Sequence, residues 1–150
     1  MKIKPLKSRN TVLAILVSAI LVCSVLCGAC GPVIARFDAA ALETLVVLKA
    51  RSLVLLEKAA EPYDRHRDEC EEIVKLLEQA YHNAAQKADN GLAVKQWEML
   101  KNPGGYLLGG VLEKWRQEGQ LESAFCREAR EIIAAAFDSM IGLENGKPRR

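Results

Sequence analysis

Histidine is scarce in this chain: His66 and His82 are the only two in 150 residues. The nearest approach to a metal set is His66, Glu69 and Cys70, which share one helix side at i, i+3 and i+4. No further Cys or His follows at a spacing that would complete a tetrahedral zinc site, and His82 lies 16 residues on, about 160° round the helix. These residues therefore call for no metal, and nothing else in the sequence calls for a cofactor. Catalytic constellations are equally thin. No Ser or Cys has a nearby histidine in a strand-turn-helix elbow, and the Glu and Asp residues fall at the spacing of solvated helix faces. No catalytic residue is assigned, and an enzyme is unsupported.

Period-two alternation is also missing, which argues against a sheet. Glycine is concentrated in Asn102-Pro-Gly-Gly-Tyr-Leu-Leu-Gly-Gly110. That run lacks the Gly-Lys-Ser/Thr ending of a phosphate-binding loop and the preceding strand of a dinucleotide site. It reads as a turn whose glycines let two helices approach closely.

What is present begins at the N-terminus. The first ten residues carry Lys2, Lys4, Lys7 and Arg9 with no acid, and Thr11 to Leu26 is uncharged and mostly Leu, Val, Ile and Ala. A basic start, an apolar block and then small residues make a secretory signal peptide. Three of the five cysteines, Cys23, Cys27 and Cys30, crowd into this end. Cys27-Gly28-Ala29-Cys30 has the spacing of a redox pair, but no strand precedes it to build the helix N-terminus such a site requires. Gly28-Ala29-Cys30 instead resembles the lipobox of bacterial lipoproteins, with Cys27 where the large aliphatic residue usually stands.

The resemblance covers residues 1–30. It implies cleavage before Cys30, a thioether-linked diacylglycerol on its thiol, and acylation of the new amino group, so that Cys30→Ser would abolish palmitate labelling. Two or three acyl chains hold a protein far more firmly than one. Gly31 stands where Asp marks inner-membrane retention in enterobacterial lipoproteins, which favours the outer membrane in a Gram-negative source. Two other readings stay open. The uncharged span from Thr11 to Ala35 has 25 residues, enough for an uncleaved transmembrane anchor. Cleavage after Ala35, at Val33-x-Ala35, would release a soluble protein. All three place the rest of the chain outside the cytoplasm, in the cell envelope or periplasm.

The charge balance changes once residues 1–29 are set apart. Four of the 21 basic residues lie there, leaving 17 against 19 acidic ones, so the formal +2 becomes −2. With only Lys147, Arg149 and Arg150 clustered at the end, there is no electrostatic footprint for nucleic acid. The expected organisation is a signal peptide over 1–29, a lipidated cysteine and tether over 30–35, and a helical domain over 36–150. That domain is long enough to bury its own core.

Within it the apolar pattern is helical throughout, and the fold class expected is all-α, a bundle of four or five helices. Arg36 to Ala60 is apolar over most of its circumference, as in a helix buried on several sides. Asp38 suits its N-cap and Pro62 ends it. A second helix runs from Tyr63 to Ala84, stopped by Asp89-Asn90-Gly91. Shorter helices follow over Leu92–Leu100 and Tyr106–Glu118, then a last one capped by Ser123 and closed by Asn145-Gly146.

Two candidate sites remain. Trp97 and Trp115 flank the glycine run and, with Tyr106, could line a groove for a peptide, glycan or lipid, although aromatics so placed are more often core. Cys70 and Cys126 are the two thiols left to an exported domain after processing, and an oxidising compartment would favour a disulfide between them if their helices are neighbours. The function expected is a membrane-held binding or scaffolding module with a protein partner. The alternatives are an envelope enzyme or ligand carrier with its site near Trp97 and Trp115, and an uncleaved single-pass component of a larger complex.

Overall fold

The computed structural model describes residues 34–149. The expected signal peptide, Cys23, Cys27, Cys30 and the expected tether as far as Val33 lie outside the described residues. No strand occurs among those described, and the domain is an all-α bundle of five helices. These are α1 Ala39–Glu57, α2 Arg67–Ala85, α3 Gly91–Lys101, α4 Leu108–Glu118 and α5 Ser123–Asn145, with a 3-10 turn at Tyr63–Arg65. Among the described residues no helix is long and apolar enough to cross a membrane.

Helix α1 is flanked by α2 and α5, while α3 packs on α2 and touches α4 and α5. The core comes from Leu45, Leu48, Leu55 and Leu56 of α1, Ile73 and Leu77 of α2, Leu100 of α3, Trp115 of α4, and Ile133 and Phe137 of α5. Burying a large aliphatic or aromatic side chain contributes about 1.5–3 kcal/mol. This shared interior holds helices too short to persist alone.

Helix boundaries are set by main-chain bonds at the two ends of the bundle. Asp38 caps α1 as expected, its Oδ1 accepting from the Ala40 and Ala41 amides at 2.8 and 3.2 Å. The helix starts at Ala39 rather than Arg36 because the Ala35 amide donates to Asp89 O (3.0 Å) and the Phe37 amide to Pro148 O (2.9 Å). At the opposite end the Tyr63 amide is held by Gly119 O (2.7 Å) and the Leu121 amide by Ala59 O (3.0 Å). Tyr63–Arg65 is therefore a 3-10 turn, and α2 begins only at Arg67. Gly119 takes φ +77, where a side chain would be strained.

Two further expectations need correction. Helix α1 is buried on its inner face and flanks but not all round: Val46, Val47 and Val54 are about half exposed on its outer face. Ser123 is the first residue of α5, and the cap position is taken by Glu122, whose side chain makes no cap bond.

Candidate functional site

The aromatic groove expected from Trp97, Tyr106 and Trp115 does not form. Trp115 is fully buried; its Nε1 donates to Glu61 O at 3.0 Å, and its ring meets Tyr63 edge-on at a centroid distance of 5.7 Å. Tyr106 is 95% exposed and contributes to no cavity wall. Trp97 is buried in α3, with its surface turned towards a different cleft. The glycines between the tryptophans are structural. A Cβ on Gly109 would lie 2.1 Å from Lys101 O, and one on Gly110 would lie 1.8 Å from Gly105 O.

The cleft that Trp97 joins has a volume of about 440 Å³ and opens between the start of α1, the end of α2, α3 and the end of α5. Leu45, Ala80, Ala84, Ala93, Trp97 and Met140 make its apolar surface. With Ala40 and Ala41 of α1, the alanines on three helices account for the space, since none fills the gap between neighbouring backbones. Its polar groups are largely committed to one another. Lys87 bonds the Asp38 carboxylate and holds it below the ordinary carboxylate range, against the opposing effect of burial. Thr44 Oγ1 donates to Ala40 O at 2.8 Å.

Behind this rim lies a buried network. Lys147 Nζ donates to Glu144 Oε2 at 2.6 Å and to Asn90 Oδ1 at 2.8 Å. Asn90 Nδ2 donates to Ala84 O at 2.9 Å, and Glu144 Oε1 accepts the Asp38 amide at 2.8 Å. Paired in this way, the charges survive burial. They tie the entry to α1, the α2–α3 turn and the end of α5 together. Gln96, also in the cleft wall, has its Oε1 buried and without a partner among the described residues. The network was missed in the sequence because its members are up to 109 residues apart. Only Glu144 and Lys147, at i, i+3, carried a local signal.

The other sequence candidates separate. His66 Nε2 lies 3.0 Å from Glu61 Oε2, and its ring lies 5.7 Å from that of Trp115. Its Nδ1 is 3.6 Å from Glu69, beyond hydrogen-bond length. Cys70 is buried in the core, and among the described residues no three His, Cys, Asp or Glu side chains converge as a metal set. The expected Cys70–Cys126 disulfide is not made: both are free, buried thiols. Their helices are not direct partners in the way α2 is with α1 and α3, or α5 with α1. Burial, with the nearby Glu69 and Glu71 charges, pushes the Cys70 thiol up to about 12, and burial raises Cys126 as well. Neither is a poised nucleophile.

A second surface was not anticipated. On α1, Val46, Val47, Ala50 and Val54 form an exposed apolar strip. Arg51–Glu72 (2.8 Å) borders it towards α2, and Lys49–Asp138 (2.5 Å) and Glu57–Arg130 (2.8 Å) border it towards α5. Glu43 stands exposed at its N-terminal end.

No family model, curated protein or solved structure matches the chain.

Proposed function

We propose that this protein is a bacterial cell-envelope lipoprotein, acylated on Cys30, whose helical domain is a non-catalytic binding module that docks an amphipathic helix of another envelope protein along α1. The signal sequence and Gly28-Ala29-Cys30 support the anchor. The observation that carries the docking is the strip of Val46, Val47, Ala50 and Val54, apolar and exposed while the charged residues beside it are paired sideways with α2 and α5. A strip one helix wide, with a small residue at its centre and ion pairs along both borders, fits a helix laid in a shallow groove. Glu43 at its end calls for a basic residue on that partner.

Binding is favoured over catalysis because the titratable groups around the cleft neutralise one another, and the two thiols are held in their protonated form. The cleft remains a secondary candidate for a small ligand, resting on Trp97 and the unpartnered Gln96 Oε1.

Two measurements test the reading. Palmitate labelling should vanish in Cys30→Ser, and labelling lost instead in Cys27→Ser would move the anchor. A photo-crosslinking residue at Ala50 should give one discrete protein adduct in intact cells, absent from the same probe at Glu122. Val46→Glu with Val54→Glu should remove the adduct. An adduct insensitive to those changes, or none at all, overturns the docking surface.

A further inference from the structure

Ile34 is four residues beyond Cys30, and four extended residues reach at most about 14 Å. The chain has no slack past that point. Ala35 is buried, its amide bonded to Asp89 O at 3.0 Å, and the Phe37 amide is bonded to Pro148 O at 2.9 Å. Whatever holds Cys30 therefore holds one particular end of the bundle.

That end has a distinct surface. Ile34 is 42% exposed, and Leu92, three residues past Asp89 at the start of α3, is 57% exposed. Arg36 is exposed. The Arg149 guanidinium lies 4.5 Å over the Phe37 ring, which keeps a second cation beside the point of chain entry. Of the acids here, Asp38 is paired with Lys87 and Glu144 with Lys147, while Glu43, one turn into α1, is exposed. Asp89 has no cationic partner among the described residues.

We propose that this end, carrying Ile34, Arg36, Leu92 and Arg149, docks on an anionic lipid surface, with the two apolar side chains entering the headgroup region and the two arginines meeting phosphates. The proposal rests on the reading that the chain is anchored through Cys30. Charge complementarity and tether length carry it. A reach of about 14 Å leaves the arginines within one or two screening lengths of the headgroups at physiological salt. Once seated against the headgroups, each basic residue is favoured by a factor of about five in occupancy. A second effect follows for α1: with its N-terminus at the docked end, its apolar strip runs away from the membrane and stays open to a partner.

The test uses the full mature chain, reconstituted into vesicles of phosphatidylcholine with and without phosphatidylglycerol. Nitroxide labels are placed singly at Ile34→Cys, Leu92→Cys and, at the far end, Glu122→Cys. Cys70 and Cys126 are buried and stay unlabelled in the native fold. In anionic vesicles, labels at 34 and 92 should collide more with oxygen and less with a water-soluble nickel chelate than the label at 122. Arg36→Glu with Arg149→Glu should abolish that difference while leaving the helical circular dichroism unchanged. Omitting phosphatidylglycerol should weaken it with no substitution at all. Labels equally wet at all three positions, on a chain that floats with the vesicles and carries acyl mass on Cys30, overturn the docking alone. A chain that floats with neither vesicle overturns the anchoring, and the docking with it.

Discussion

Glu144 and Lys147 form a buried ion pair where α5 ends, Oε2 and Nζ 2.6 Å apart, with side chains only 5% and 3% exposed. Neither charge would be tolerated there alone. Glu144 is compensated by Lys147 and by the Asp38 amide, and Lys147 by Glu144 and Asn90. Because that set spans both ends of the helical domain and the α2–α3 turn, it selects one arrangement of three segments that are remote in sequence.

Lys147→Met should therefore cost about 3–5 kcal/mol, the range for removing one partner of a buried pair. The double variant Glu144→Gln, Lys147→Met should recover most of that loss, because no uncompensated charge remains. Equilibrium urea unfolding measures both. A double variant as unstable as the single one would mean that the pair acts through geometry rather than charge.

Much of the fold is legible in the sequence. Asp38, Pro62 and Asp89-Asn90-Gly91 are local signals, and local signals mark helix ends to within a few residues. The boundaries that moved, at Arg36 and Tyr63, did so because main-chain groups from remote segments claimed those amides. The candidate site was far less legible. Trp97 and Trp115 do not share a groove: one turns to a cleft and the other is consumed by Glu61 and Tyr63. Side-chain type does not reveal which face of a bundle a short helix presents. The strip on α1 looked like core for the same reason: a helix between two neighbours and one with a third covering it share the same apolar composition.

The bond from Trp115 Nε1 to Glu61 O closes one end of the bundle. Trp115→Phe removes the donor and part of a fully buried ring, leaving the Glu61 carbonyl unpaired and a small cavity. The expected loss is about 2–3 kcal/mol, or roughly 10 °C in melting temperature for a domain of this size. Tyr106→Ala, on the exposed ring, should change stability by less than about 0.5 kcal/mol. Comparable shifts for the two would contradict the core assignment.

Stability should fall in acid. Asp38 is held below 3.8 chiefly by its bond to Lys87, Glu69 below 4.5 chiefly by Lys58, and Glu113 at about 2 chiefly by Arg116. Each carboxylate binds its proton more readily when unfolded. The stabilisation is therefore complete above the unfolded values near 4 and is lost as pH falls through the lower folded values. Thermal midpoints should be level with respect to these three groups from pH 6 to 8 and drop from about pH 5 towards pH 2. Asp38→Asn, which keeps an N-cap, should make that drop shallower. Glu69 is exposed and Glu113 half-buried, so added salt should blunt the Glu69 part most.

Cys70 and Cys126 should be silent in the native protein. A thiol raised to about 12 carries almost no thiolate at pH 8, and both side chains are buried. Native protein should give no fast reaction with a maleimide at either position, and both thiols should react in denaturant. Intact mass after air oxidation should show no loss of two hydrogens. Formation of an intramolecular disulfide would contradict the free, buried state of both thiols.

Glycine substitutions should divide sharply by position. At Gly109 a methyl group would lie 2.1 Å from the Lys101 carbonyl oxygen, and backbone cannot swing aside as a flexible side chain does. Gly109→Ala must therefore push α4 away from the end of α3, at a cost of about 1–3 kcal/mol or more. Gly142, inside α5, meets nothing within 4 Å of an added Cβ. There alanine only restricts the unfolded chain and improves helix propensity, so Gly142→Ala should stabilise by about 0.5–1 kcal/mol. Paired thermal melts decide the matter. If both substitutions stabilise, the close approach of α3 and α4 is not what the Asn102–Gly110 run is for.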